Sequence, residues 1–101
     1  MLHLTTTCPD IDTARDLARN ALERRLAACA SIQPGILSLF HWQETIDEEP
    51  EVQLVFKTTE ARRDELIGLI RDLHPYDLPV MTWEMVATTP DATEWLMAET
   101  R

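Results

Sequence analysis

Two strand-forming runs facing each other across a short acidic stretch most constrain how this chain folds. The first spans Ala27 to Trp42 and holds Cys29-Ala30-Ser31-Ile32 and Ile36-Leu37-Ser38-Leu39-Phe40-His41-Trp42. The second runs from about Thr45 to Lys57, and its Val52, Leu54 and Phe56 share one face while Glu51, Gln53 and Lys57 share the other. Between them Gln43 to Pro50 is polar and acidic and reads as the tip of a hairpin, with Ile46 extending the pairing towards it. Pro34 cannot donate to a ladder, so Pro34-Gly35 predicts a bulge, an edge or a bend. A hairpin this long in a chain of 101 residues outruns any helices packed on it and leaves unpaired edges. Such edges are covered or paired, so strand pairing between subunits is expected.

The remaining elements fall around that hairpin. Leu2 and Leu4 alternate with polar neighbours and lead into the β-branched Thr5-Thr6-Thr7, a first strand. Pro9-Asp10 breaks it, and Asp10 or Asp12 is placed to cap a helix. Ala14, Leu17, Ala18, Ala21, Leu22 and Leu26 recur at helical spacing, so that helix ends near Leu26. Thr58 or Thr59 is placed to cap a second helix, with Leu66, Ile67, Leu69, Ile70 and Leu73 as its buried stripe. His74 to Pro79 is extended because each proline disfavours helix in the residue before it. Val80 to Ala87 reads as a fourth strand, and Thr88 to Asp91 introduces a short helix from Ala92 to Glu99. The order β-α-β-β-α-β with a terminal helix predicts one α+β domain over residues 1–101: a ferredoxin-like antiparallel sheet with two helices on one face.

Composition narrows the function. Eighteen acidic residues against nine basic ones give a net charge of −9, which argues against duplex nucleic acid as partner. No apolar run approaches the roughly 18–20 residues of a membrane span, and the N-terminal stretch lacks signal-peptide character. Cys8 and Cys29 have no metal-finger spacing and read as reduced thiols, which points to the cytoplasm. Gly35 and Gly68 stand alone, so there is no phosphate loop; a serine nucleophile elbow is missing, and no organic cofactor or catalytic role is expected.

Few residues remain as candidates. His74, after the second helix and before Pro75-Tyr76, is a candidate metal ligand if Asp77, Glu84 or another subunit supplies companions; the plainer reading is a helix-terminal histidine favoured by the dipole. His3 reads as exposed or at a sheet edge, and His41 as a strand residue. Asp47-Glu48-Glu49 lacks calcium-loop spacing and reads as a solvated loop, while Trp83 and Trp95 fit a core or an interface. Lys57 ends a strand, and Trp42 and Tyr76 are read as lying near the same strand end, an arrangement able to hold a small anion at a subunit junction.

Leu26-Ala27-Ala28-Cys29 with Pro34-Gly35, Phe40-His41-Trp42, Glu51-Val52 through Lys57-Thr58, His74-Pro75-Tyr76 with Pro79, and Trp95-Leu96 occur in that order. Together they resemble the CutA family of divalent-cation tolerance proteins over nearly the whole chain. The resemblance implies a homotrimer built by strand pairing between subunits, a cytoplasmic location, and tolerance to copper and other divalent cations. The family's trimer is similar to that of the PII signalling proteins, which are small-molecule sensors. Some copper-binding members carry a Cys where Thr6 stands and a second His where Leu73 stands. His74 is what this chain keeps of that set, with Cys8 two residues beyond Thr6 on the same strand face as a substitute ligand. Members often show Trp-Glu-Gly where this chain has Trp42-Gln43-Glu44, and Val80 and Ala92 also depart from the family pattern. The leading expectation is a non-enzymatic trimer tied to divalent-cation response, with weak or indirect metal binding. The alternatives are a PII-like sensor with a pocket between subunits involving Lys57, Trp42 and Tyr76, and an assembly module acting through protein partners.

Overall fold

A computed structural model describes residues 1–101. The elements are β1 (Leu2–Cys8), α1 (Ile11–Glu23), β2 (Cys29–Trp42), β3 (Thr45–Thr58), α2 (Arg63–Leu73), β4 (Thr82–Met85) and α3 (Pro90–Glu99). The four strands form one antiparallel sheet in the order β2-β3-β1-β4. Leu2, Leu4, Thr6 and Cys8 point from β1 to the helix-covered face, as do Val52, Leu54 and Phe56 from β3. Ala14, Leu17, Ala18 and Ala21 from α1 and Leu66, Leu69 and Ile70 from α2 complete that core. Alanines on the inner side of α1 let the helix lie close to the sheet, while Asp10 accepts the Thr13 N–H at 2.7 Å and caps its start.

The hairpin is more fully paired than its composition suggests. Its turn is only Gln43-Glu44, and Thr45 to Pro50, read both as part of the acidic tip and as the start of the second strand, is strand paired to Leu37–Trp42. Both turn residues have left-handed backbone, φ 49° and 68°, which suits the twist of a two-residue hairpin turn. The acidic run therefore lies along a strand, with Asp47, Glu48 and Glu49 opposite Phe40, Leu39 and Ser38. At Pro34-Gly35 the register slips by one residue between Gln33 and Ile36, on the edge strand and with Gly35 at φ +87°. β1 reaches no further than the pairing of Cys8 with Val52, so from Glu51 outwards the hairpin has two strands alone.

Other boundaries move for local reasons. α1 stops at Glu23, before Leu26, because Arg25 adopts left-handed backbone and reverses the chain. Neither threonine supplies a side-chain cap to the second helix. Thr58 instead turns inward and donates its hydroxyl to the Leu26 carbonyl at 2.7 Å, and a single 3-10 turn at Glu60–Arg62 leads into α2. β4 is four residues long rather than eight; the Val80 carbonyl accepts from the Thr6 hydroxyl at 2.9 Å instead of joining a ladder. α3 begins at Pro90, whose fixed φ suits a first helical turn. Trp83 and Trp95, 47% and 43% exposed, lie outside the core of a single subunit, and the Arg63 guanidinium sits 5.4 Å from the Trp83 ring centre. His3 is neither exposed nor at an edge: it is half-buried on an interior strand, between Lys57 and Glu84.

Candidate functional site

The segment after α2 carries the polar groups that converge. Pro75 holds His74 in extended backbone (φ −71°, ψ 135°), and His74 closes α2 by donating its N–H to the Ile70 carbonyl at 2.8 Å. The His74 side chain then turns under the end of β1. Its Nε2 lies 2.8 Å from the Thr7 carbonyl, and its Nδ1 accepts the Tyr76 N–H at 3.1 Å. A carbonyl only accepts and a peptide N–H only donates, so the ring carries its proton on Nε2. Both nitrogens of this buried imidazole are thus engaged.

Tyr76 continues the chain of contacts. Its ring centre is 4.7 Å from that of His74, and its hydroxyl donates to the Glu51 carboxylate at 2.8 Å. Glu51 is 8% exposed and sits where the hairpin leaves the shelter of β1. Burial, the largest single influence, pushes its carboxyl upward. The hydroxyls of Ser38, Tyr76 and Thr7 together outweigh burial and hold it below the ordinary carboxylate range. Burial raises the Tyr76 phenol, and the bond to Glu51 and that residue's charge raise it further. The result is an ionised carboxylate at the base of the hairpin, bound to a neutral phenol.

Cys8 and His74 come to the same end of β1, since His74 bonds the carbonyl next to Cys8 in sequence. Cys8 shares the buried face of Thr6. Burial, with the charges of Asp10 and Glu51, raises its thiol to about 11, so it is protonated at neutral pH. No three His, Cys, Asp or Glu side chains converge to form a metal cage within one subunit. With both His74 nitrogens taken and Cys8 a buried thiol, this donor set does not fit a resident metal ion.

Lys57, Trp42 and Tyr76 do not meet within one subunit. Trp42 pairs with Thr45 at the hairpin tip, whereas Lys57 pairs with Cys29 and His3 at the other end of the same strand. Twelve residues at about 3.3 Å each put them roughly 40 Å apart along β3. Tyr76 meets the strand midway, at Glu51. Two surface depressions, of about 380 and 460 Å³, lie at Arg25–Glu99–Arg101 and along α1, and none of the three residues lines either. Glu51 is the residue that sequence reasoning passed over; it reads as one more acid in a run, and only the register and the loop set it apart.

The whole pattern has close relatives. The family model described as CutA1 divalent ion tolerance protein matches residues 2–99. The divalent-cation tolerance protein CutA of Salmonella newport is 38% identical over 96 residues, covering 94% of this chain and 84% of that protein. A point variant of CutA1 from Pyrococcus horikoshii OT3 superposes with a TM-score of 0.96 at 35% identity, covering 100% of this chain and 99% of that one. The periplasmic divalent cation tolerance protein CutA from Archaeoglobus fulgidus superposes with a TM-score of 0.96 at 25% identity, each chain covered in full. Matched by the family model over residues 2–99 and 38% identical to a curated member along nearly its whole length, this chain belongs to the CutA1 divalent ion tolerance protein family.

Proposed function

We propose that the chain acts in divalent-cation tolerance, copper among the cations, as a non-enzymatic cytoplasmic homotrimer whose metal contact is weak or indirect. The observation that carries the assembly is the hairpin beyond Glu51. It is two-stranded, has no helix over it, and exposes Leu37, Leu39, Phe40, Trp42 and Ile46 on its two faces. An isolated two-stranded hairpin is marginal in water, and so much exposed apolar side chain asks for a neighbour. The free edge of β2 and the short edge strand β4 offer the pairing surfaces. Cys8 and Cys29 are free thiols on opposite faces of the sheet, which suits a reducing compartment.

Cys8 and His74 are the proposed point of metal contact. A cation there has to displace the bonds to Thr7 and Tyr76 and deprotonate a reluctant thiol, which supports weak rather than resident binding. Light scattering tests the assembly, with a mass of three chains expected and a stable monomer overturning it. Copper titration of the wild type against His74→Ala and Cys8→Ser tests the contact. Lower affinity in both variants is expected, and unchanged affinity in His74→Ala removes His74.

A second reading is a PII-like sensor, with Lys57, Trp42 and Tyr76 brought together from neighbouring copies. The place of Tyr76 at the root of an uncovered hairpin edge, where a neighbouring copy can reach it, favours it. A metabolite screen by thermal shift separates the readings, because a sensor is stabilised by one small molecule and not by copper.

A further inference from the structure

The end of α1 breaks a local rule. The residue just past the helix takes left-handed backbone, the position where glycine is at ease, yet it is Arg25 at φ 56°. Its side chain explains what the backbone alone does not. The guanidinium reaches across to α3 and donates to the Glu99 carbonyl at 3.3 Å and to the Glu99 carboxylate at 3.2 Å. From a different direction Arg62 donates its Nε to the Thr100 carbonyl at 2.7 Å. Carbonyls in the last turn of a helix lack partners within it and carry the negative end of its dipole, so two arginines here satisfy α3 where it is least satisfied.

Little else holds that helix. Among its ten residues Leu96 alone is buried, and Leu96 does not join the main core of fifteen apolar residues. Thr89 supplies no side-chain cap, and Trp95 and Met97 face outward. The connector Ala87-Thr88-Thr89 is exposed and in no regular element. Ten residues are too few for a helix to be stable without packing.

We propose that α3 is a latch, hinged at residues 87–89 and closed by Arg25 and Arg62, which opens as a unit while the sheet, α1 and α2 stay folded. Opening releases Leu96, the one buried residue of the helix, from the body and joins it to the outward-facing Trp95 and Met97 in a continuous apolar run. Closing costs α1 a strained residue at its end, which is why an arginine stands where glycine is at ease.

Native-state amide hydrogen exchange on the full chain tests the proposal. In the wild type, amides of 90–100 are expected to exchange by a local opening that guanidinium leaves nearly unchanged, well ahead of β1 and β3. Arg25→Gly with Arg62→Ala is expected to speed α3 exchange about three- to tenfold per arginine removed, the range of a partly exposed charged hydrogen bond. Arg25→Gly alone is expected to leave the melting temperature at or above that of the wild type, because glycine relaxes the left-handed position. Exchange of α3 in step with β1 and β3 in the wild type overturns the latch. So does a double variant that leaves α3 exchange unchanged or accelerates every element equally.

Discussion

The Tyr76 hydroxyl donates to the Glu51 carboxylate at 2.8 Å, and this bond joins the segment after α2 to the root of the projecting hairpin. Tyr76→Phe keeps the ring but removes a donor from a buried, ionised acceptor. Losing a hydrogen bond to a charged group costs about 1.5–3 kcal/mol, and Ser38 and Thr7 retain part of the stabilisation. The expected result is a loss of about 1–2 kcal/mol in urea unfolding at pH 7. A smaller loss is expected at pH 3, where the carboxylate is closer to protonation.

Acid should act through the same residue. Glu51 is held below the ordinary carboxylate range in the fold, so the unfolded chain takes up its proton first as the pH falls. Its stabilising contribution is therefore complete above the unfolded value, about 4.3, and is lost as the pH drops through the lower folded value. Glu51→Gln cannot titrate. Its unfolding free energy should fall less steeply than that of the wild type between pH 5 and pH 3, as read from urea midpoints at each pH. Equal slopes would assign the acid sensitivity to other carboxylates.

What sequence reveals here and what it hides have separate physical causes. The element order is legible because period-2 and period-3.6 apolar patterns follow from single elements, as at Val52-Leu54-Phe56 and Ala14-Leu17-Ala18-Ala21. The hairpin turn is not, because acidic residues report exposure to water, and an exposed strand is as wet as a loop. Trp83 and Trp95 read as core or interface, and hydropathy cannot separate the two; one subunit leaves both outside its core. Antiparallel pairing alone is enough to separate Lys57 from Trp42, whereas the meeting of Tyr76 with Glu51, 25 residues apart, depends on a loop conformation no spacing encodes.

The hairpin tip carries removable strain. Gln43 and Glu44 are both left-handed without being glycine, and the one side-chain bond across the turn is from the Thr45 hydroxyl to the Trp42 carbonyl at 2.9 Å. The left-handed conformation costs a non-glycine residue about 1–2 kcal/mol, part of which glycine gives back through its freer unfolded chain. Glu44→Gly should therefore stabilise the protein by about 0.5–1 kcal/mol, seen as a higher urea midpoint with an unchanged slope. A destabilised variant would mean that the Glu44 side chain has a partner in the assembled protein.

The two cysteines should behave as different chemical species. Cys8 has no accessible surface and a thiol raised to about 11, by burial first and by Asp10 and Glu51 second. Only the thiolate is nucleophilic, so at pH 8 Cys8 has neither the charge nor the access to react. Cys29 is half-buried on the opposite face of the sheet, beside Lys57 and 3.9 Å from the Ser31 hydroxyl. A maleimide reagent on the native protein should therefore modify Cys29 ahead of Cys8, with Cys8 labelled only at the rate of unfolding. Cys29→Ser should leave a protein that labels in denaturant and not in buffer. Rapid native labelling of that variant would mean that the end of β1 opens on its own, and with it the packing of His74 against Thr7.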